Sequence, residues 1–273
     1  MGKRHPLILL LAGIGYAILY IPILIMIIYS FNSSRLVTVW AGWSTKWYGE
    51  LLQNGQIGDA AWISFVVAFW AATLGIIFGV MIGYALARLR KFRGRLLLSG
   101  MATAPIVMPE VVTGLSLLLL FISLENLIGW PAGRGLVTIV IAHATFAMAF
   151  VAVIVQGRLS DFDTSIEEAA MDLGARQPWI FFTITLPVIM PAVIAGWLLA
   201  FTLSFDDLVI ASFVSGPGSS TLPMVIFSKV RLGVTPEINA LATIIVAIVA
   251  LGVVVANWLS LRSQAAEQKL QDK

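Results

Sequence analysis

Six long apolar runs constrain this chain more than any other feature. Each is about 20 residues or longer, enough for an α-helix to cross a hydrocarbon core about 30 Å thick. Lipid-exposed backbone must satisfy its own hydrogen bonds, so helices are the expected form. A chain that is 59% hydrophobic and 11% charged is not a soluble domain. We therefore expect an all-α integral membrane protein with one transmembrane domain, residues 1–273. The predicted spans are residues 7–31, 61–87, 96–124, 136–156, 188–214 and 240–261.

Lysine and arginine are unevenly distributed among the segments that join these runs. With both termini inside, 12 of the 17 basic residues fall in inner segments. The positive-inside rule therefore predicts cytoplasmic termini and a cytoplasmic segment between the fourth and fifth spans. The basic run from Arg88 to Arg95 is interpreted as a topology anchor, with nucleic-acid or anionic-lipid binding as alternatives. Lys3 and Arg4 precede an apolar run too long for a signal peptide, which predicts an uncleaved span.

The third run contains two prolines and an acid, which mark it as irregular. Pro105 and Pro109 each lack a backbone N–H and are expected to bend or break the helix. Broken helices are tolerated in membranes where they line a cavity. Glu110 follows directly, and an acid near mid-depth is costly unless it is paired or hydrated. Glu110 is therefore a candidate for the substrate path; the alternative is a structural partner for His143 or for a backbone amide.

Two adjacent aspartates, Asp206 and Asp207, end the fifth span near its predicted outer mouth. Neighbouring residues point to different faces of a helix, so we expect one to face the substrate path and the other a neighbouring helix. Solvation of a helix end is the alternative. His143, in the outer half of the fourth span, is expected to form an interhelical hydrogen bond rather than to bind a ligand.

An aromatic cluster marks the predicted outer segment between the first two spans. Trp40, Trp43, Trp47 and Tyr48 lie between positions 40 and 48. An interfacial aromatic belt is the favoured interpretation. A docking surface, or a vestibule that binds an amine through cation–π contacts, stays open as an alternative.

One amphipathic helix pattern lies between the fourth and fifth runs. Its apolar residues recur at i, i+3, i+4 and i+7, which places them on one helix face. The stripe is short, and water is a poor partner for it, so we expect another surface to cover it. It consists of Ile166, Ala169, Ala170 and Leu173.

Residues at both ends of this pattern predict a helical hairpin. Ser165 and Glu168 have the spacing of a capping box, which starts a helix by satisfying its first amides. Gly174 suits a left-handed residue at the helix end. Pro178 suits the first turn of a second short helix, and Pro187 is expected to close it.

The same segment resembles the EAA loop of ABC importer permeases. That motif reads E-A-A, three residues, G, nine residues, I-x-L-P, and every specified position matches here. The resemblance implies a cytoplasmic loop, about residues 157–187, whose first helix docks in a groove of an ATPase subunit. The residues assigned to ATPase coupling on this basis are Ser165, Glu168, Ala169, Ala170, Gly174, Ile184, Leu186 and Pro187.

Nearly the whole chain can also be aligned with the permeases of putrescine and spermidine importers, which it resembles. The resemblance implies a polyamine substrate, a bacterial inner-membrane location in contact with lipid, and three kinds of protein partner. These are a second permease subunit, an ATPase dimer that holds ATP-Mg, and a periplasmic substrate-binding protein. It implies no cofactor in this chain. The matching segments are residues 29–34, 206–209, 213–218 and 233–243.

Several function classes lack their sequence signals. There is no G-x-x-x-x-G-K-[ST] phosphate loop, so the chain does not hydrolyse ATP by that route. With no cysteine and two histidines, it offers no metal-ligand cluster, and no catalytic Ser/His/Asp set presents itself. We expect a transport subunit rather than an enzyme, with no nucleic-acid partner. The alternatives are a permease for another small solute and a stand-alone carrier that uses Glu110 and Asp206 as a proton relay.

Overall fold

Helices make up the framework of the protein. The computed structural model describes residues 6–36, 39–89, 91–233 and 235–271. Within these ranges every named element is a helix, and an isolated antiparallel bridge joins Asn32 to Trp43. The α-helices are α1 Pro6–Ser30, α2 Lys46–Gln53, α3 Gly55–Arg88, α4 Arg95–Val107, α5 Glu110–Ile128, α6 Leu136–Ser160, α7 Ser165–Asp172, α8 Gln177–Ile180, α9 Leu186–Phe205, α10 Val209–Val214, α11 Leu222–Leu232 and α12 Pro236–Gln271. A π-helical turn, Phe181–Thr185, joins α8 to α9.

Five helices of the described part are long and apolar enough to cross a membrane. They coincide with the first, second, fourth and fifth predicted spans and with the longer half of the third. The sixth predicted span falls in α12, within which Pro236–Gly252 is an apolar helical stretch. Lys3, Arg4, Arg90 and Lys273 of the charge count, and Val234 of the last resembling segment, lie outside the described residues.

The chain divides into two compact units. The single transmembrane domain expected from the sequence remains a prediction. The first unit is residues 1–56 with 226–273. In it, α12 packs against α1 and α2. The buried Asn32 side chain organises the loop after α1: its amide donates to the Val39 carbonyl (2.7 Å), and its oxygen accepts the Ala41 N–H (2.9 Å). The Trp47 indole is buried and donates to the Asn32 carbonyl (2.6 Å), whereas Trp43 is 73% exposed.

The second unit, residues 57–225, is built around α6. Glycines at four-residue spacing on α3 let that helix approach α6 closely. A Cβ at Gly79 would lie 2.5 Å from Val151 Cγ1, and one at Gly83 would lie 2.9 Å from the Ala152 carbonyl oxygen. α6 also packs along α9. The shared core, fully buried, includes Ala147, Val151, Val155, Ile189 and Ala200.

Two helices of this unit are broken, and their breaks lie close together. The third predicted span is interrupted at Met108 and Pro109, as expected, whereas Pro105 lies inside α4. The fifth is interrupted between Phe205 and Val209, where α9 gives way to α10. α5 packs directly on α10, because Gly114 leaves only enough room for the Phe213 ring. This packing brings Glu110, at the start of α5, toward the two aspartates.

Candidate functional site

The hairpin predicted from residues 165–187 is present, but its first helix starts differently from the prediction. The expected capping box between Ser165 and Glu168 is wrong. The Asp163 carboxylate accepts the Ser165 N–H (3.0 Å) and the Ser165 hydroxyl (2.8 Å), while Glu168 accepts a hydrogen bond from Thr164 (3.2 Å). Because these bonds favour the ionised carboxylate, the N–H and hydroxyl of Ser165 lower the pKa of Asp163 from its ordinary value of 3.8. The sequence did contain a signal for this arrangement. Asp163 lies two residues before Ser165, and Asp and Asn side chains often accept a hydrogen bond from the backbone amide two residues ahead.

The turn after α7 has the predicted left-handed glycine. Gly174 has φ +86°. Its N–H donates to the Met171 carbonyl (2.9 Å), and the Ala175 N–H donates to the Ala170 carbonyl (3.0 Å). This pair of bonds is the Schellman motif, which satisfies the last carbonyls of a helix and turns the chain back.

The second helix of the hairpin does not end where the sequence predicts. Pro178 lies in the first turn of α8, as expected. The prediction that Pro187 closes this segment is wrong, since the chain continues helically from Gln177 to Phe205. The wide π-helical turn before α9 lets Pro187 sit in the first turn of α9, where its missing N–H costs little.

The apolar stripe of α7 faces outward, together with large side chains of the second arm. We call this surface the apolar face of the hairpin. Ile166 is 50% exposed, Leu173 90%, Trp179 55% and Phe182 66%. Between the arms lies a cavity of about 640 Å³ lined by Ala170, Leu173, Gly174, Ala175, Arg176, Trp179 and Ile184. Of the other assigned residues, Ala169 and Pro187 are exposed, and Leu186 packs against the core between α6 and α9.

The inward side of α7 carries a buried acid that the sequence analysis missed. Glu167 is 7% exposed, and its Oε2 lies 2.9 Å from Arg88 Nε. Its Oε1 accepts hydrogen bonds from an Arg88 terminal nitrogen (3.2 Å) and from the Thr185 hydroxyl (2.7 Å). Arg88 also donates to the Leu159 carbonyl (2.9 Å). The sequence analysis treated Arg88 as part of a basic run and did not single out Glu167, because no local pattern pairs residues so far apart.

At the other end of α6 and α9, the two aspartates have different surroundings. Asp207 Oδ1 lies 3.2 Å from His143 Nε2 and accepts the Ala211 N–H (2.8 Å) at the start of α10. His143 Nδ1 lies 2.7 Å from the Ser204 hydroxyl, so the predicted interhelical hydrogen bond is confirmed. The alternative role considered for Glu110 was that of a structural partner of His143. In the structure Asp207, and not Glu110, lies beside His143.

The other two acids near these helix breaks, Asp206 and Glu110, are exposed. Asp206 and Glu110 both lie on the surface of the unit, at the C-terminus of α9 and the N-terminus of α5. The carboxylates of Asp207 and Asp206 repel that of Glu110. We call Glu110, Asp206 and Asp207 the acidic cluster. In the described part of the chain, no group of three or more His, Cys, Asp or Glu side chains is arranged to hold a metal ion.

Comparison with known proteins places this helical membrane chain among transport components. Residues 75–265 match the family described as the inner membrane component of binding-protein-dependent transport systems. The chain is 56% identical over 269 residues to the putrescine transport system permease protein PotI of Escherichia coli K12, covering 98% of this chain and 95% of that protein. It is 45% identical over 249 residues to the spermidine/putrescine transport system permease protein PotC of the same strain, covering 91% of each.

The fold also has a counterpart among solved structures. A chain of a bacterial ABC transporter that imports the acidic polysaccharide alginate superposes with a TM-score of 0.72, covering 95% of this chain and 98% of that one at 19% identity. The protein belongs to the family of inner membrane components of binding-protein-dependent transport systems. It is a multi-pass permease subunit of an ABC importer and not an enzyme.

Proposed function

We propose that this chain is a permease subunit through which putrescine or spermidine crosses the bacterial inner membrane, driven by ATP hydrolysis in a separate ATPase. The observation that carries the proposal is the 56% identity to a putrescine permease over 98% of the chain. The acidic cluster fits such a substrate. A polyamine is a flexible chain with several ammonium groups, and each must exchange water for fixed partners at a low-dielectric constriction.

In this proposal the substrate path passes the facing breaks of the third and fifth spans. Glu110 and Asp206 are the acids that meet the ammonium groups, because both are exposed. Asp207 is the acid that holds the break in place, because its carboxylate already contacts His143 and accepts the Ala211 N–H of α10. Non-helical backbone at membrane depth is tolerated where it lines a path of this kind.

The apolar face of the hairpin is, in this proposal, the surface that enters a groove of the ATPase. Trp179 and Phe182 add exposed apolar surface to that of the α7 stripe, and exposed patches of this kind mark interaction sites. The proposed topology has six spans, cytoplasmic termini and a cytoplasmic loop at about residues 157–187. The ATP-Mg complex belongs to the ATPase dimer and not to this chain.

Three further partners complete the proposed assembly. A second permease subunit pairs with this chain, most simply as a heterodimer. A periplasmic binding protein delivers the polyamine, and membrane lipid surrounds the spans. ATP binding then moves the hairpin, and the spans rock to alternate access to the path.

Uptake by the reconstituted assembly tests the proposal. This chain, the second permease, the ATPase and the binding protein are placed in vesicles, and uptake of radiolabelled putrescine is measured with and without ATP. ATP-dependent uptake that unlabelled spermidine suppresses is expected. Uptake that needs neither the ATPase nor ATP would support the stand-alone carrier. ATP hydrolysis stimulated by a different solute, without putrescine uptake, would support a permease for another substrate.

A further inference from the structure

An ion-paired junction connects the ATPase-facing hairpin to three membrane helices. We define the Arg88–Glu167 junction as the side chains of Arg88, Glu167 and Thr185 with the Leu159 carbonyl. One terminal nitrogen donates to Glu167 and the other to the Leu159 carbonyl, while Nε lies 2.9 Å from Glu167 Oε2 without hydrogen-bond geometry. The two side chains are 12% and 9% exposed. A guanidinium that donates to two groups through separate nitrogens fixes orientation as well as distance.

The junction joins four separate segments of the second unit. Arg88 is the last residue of α3, Leu159 lies in the last turn of α6, Glu167 is in α7, and Thr185 ends the π-helical turn before α9. The Phe162 ring lies over the guanidinium at 5.5 Å. Without the Glu167 contacts, α7 would be held to these helix ends by its linkers and by weaker packing.

Two of the helices that meet at the junction, α6 and α9, also reach the acidic cluster. From Thr185 to Asp206 the chain follows α9 for about 30 Å. Along α6 the same direction leads from Leu159 to His143, which holds Asp207. The fully buried core between α6 and α9 makes the two helices a stiff pair, because close-packed interiors transmit displacement rather than absorb it.

We propose that the Arg88–Glu167 junction is the positioning element that makes a displacement of α7 move α3, α6 and α9 together. This inference rests on the proposed function, and it adds residues that lie outside the EAA-type motif. The apolar face of the hairpin meets the ATPase, and the acid on the opposite side of the same short helix passes the movement on. Arg88 and Glu167 touch no substrate in this scheme; they act through the helices they join.

Two conservative variants separate the transmission of movement from folding. Glu167→Gln keeps the shape and the Thr185 hydrogen bond but removes the ion pair. Arg88→Lys keeps the charge but cannot reach both Glu167 and the Leu159 carbonyl. Asp172→Asn on α7 and Arg158→Lys on α6 are the matched controls, since both residues are exposed and lie outside the junction.

The quantity to measure is putrescine taken up per ATP hydrolysed by the whole assembly in vesicles, alongside the amount of ATPase that co-purifies. We expect Glu167→Gln and Arg88→Lys to lower this ratio about tenfold while the ATPase remains attached, and the controls to match the parent. An unchanged ratio would overturn the proposal. So would a loss of uptake that only follows a loss of attached ATPase, because the pair would then support docking alone.

A covalent replacement gives an independent test. The chain has no native cysteine, so Arg88→Cys with Glu167→Cys introduces the only two thiols. An adjacent cavity of about 610 Å³, which both residues line, gives a reagent access. A short bifunctional maleimide should raise the lowered ratio at least about fivefold, whereas a monofunctional maleimide should leave it low. Equal ratios after the two reagents would contradict a joining role.

Failure of the proposed substrate is distinguishable from failure of the junction. If the parent assembly takes up no putrescine, the substrate proposal fails. Stimulation of ATP hydrolysis by the loaded binding protein then replaces the uptake ratio as the readout. In that measurement we expect both junction variants to lose about tenfold of the stimulation while the ATPase remains attached. Parent-like stimulation would overturn the junction on its own.

Discussion

The hairpin and the acidic cluster each contain two adjacent acids, and in each pair one acid is buried against a base while its neighbour is exposed. In the hairpin Glu167 is held by Arg88 and Glu168 lies outside. In the cluster Asp207 contacts His143 and Asp206 lies outside. The buried acids, Glu167 and Asp207, which we call the inner acids, have similar structural roles, since each connects a short helix to longer ones. The difference lies in the outer surfaces: the helix that carries Glu168 also exposes the apolar Ile166 and Leu173, whereas a second exposed acid, Glu110, accompanies Asp206.

This difference separates two kinds of recognition. An exposed apolar patch with a few charges at its edge suits a protein surface, because burying apolar area drives association. Exposed acids at two helix breaks suit a cation, because the carboxylates replace lost water. The comparison therefore predicts that the inner acids control stability or transmission, and the outer residues control partner binding at one site and substrate passage at the other.

The largest effect is expected at the inner acid of the cluster. Asp207→Ala should remove the contact with the His143 ring and leave the Ala211 N–H without its carboxylate acceptor, and should lower the free energy of unfolding by about 2 kcal/mol. Asp206→Ala, the adjacent control, should change it by less than about 0.5 kcal/mol. Thermal unfolding of the purified chain in detergent measures both. Equal destabilisation would remove the distinction between inner and outer acids.

The turn of the hairpin should be the next most sensitive position. Gly174→Val introduces a β-branched side chain at φ +86°, where the backbone strain is about 1–2 kcal/mol. A Cβ there would meet nothing within 4 Å, so strain and not crowding is the cause. We expect uptake to fall about 5- to 30-fold with normal membrane insertion. Gly174→Asn is the control, because asparagine tolerates this region better and should retain most uptake.

The outer acids should affect transport without affecting stability. Glu110→Gln and Asp206→Asn keep shape and hydrogen bonding but remove charge, and each should slow diamine uptake about tenfold, the effect of about 1.4 kcal/mol. The binding protein must be saturating, so that docking does not limit the rate. Co-purification of the ATPase is the control and should be unchanged. If both variants transport at the parent rate, the acids are structural, and charge selection rests with the binding protein.

The smallest effect concerns the carboxylate that starts α7. Because hydrogen bonds from Ser165 lower the pKa of Asp163 below 3.8, its contribution is present above that value and is lost as pH falls through the lowered pKa. Attachment of the ATPase should therefore weaken slightly more in the parent than in Asp163→Asn as the pH falls below about 4, since the amide keeps an acceptor that does not titrate. Identical pH profiles for ATPase attachment would show that the cap does not influence the hairpin.

Local signals in the sequence predicted several of these features. The left-handed Gly174, the break at Pro109 and the apolar stripe of α7 each depend on a few neighbouring residues, whose conformational preferences act over one or two turns. The capping box failed for a reason of the same range: Asp163 accepts the N–H and the hydroxyl of Ser165, and the Glu168 N–H that a capping Ser165 would bind donates to the Thr164 carbonyl. Pro187 failed as a helix end because a π-helical turn changed the hydrogen-bond spacing before it.

The sequence by itself determined that this is a helical membrane protein of the importer permease family and where its hairpin lies, because hydrophobic length and motif spacing are properties of consecutive residues. Only the tertiary structure decided which member of each acid pair faces inward. Adjacent positions on a helix differ in direction, and the choice depends on a base brought from a distant part of the chain. Arg88 reaches Glu167 across 79 residues, and the packing of α3, α6 and α9 makes that contact possible.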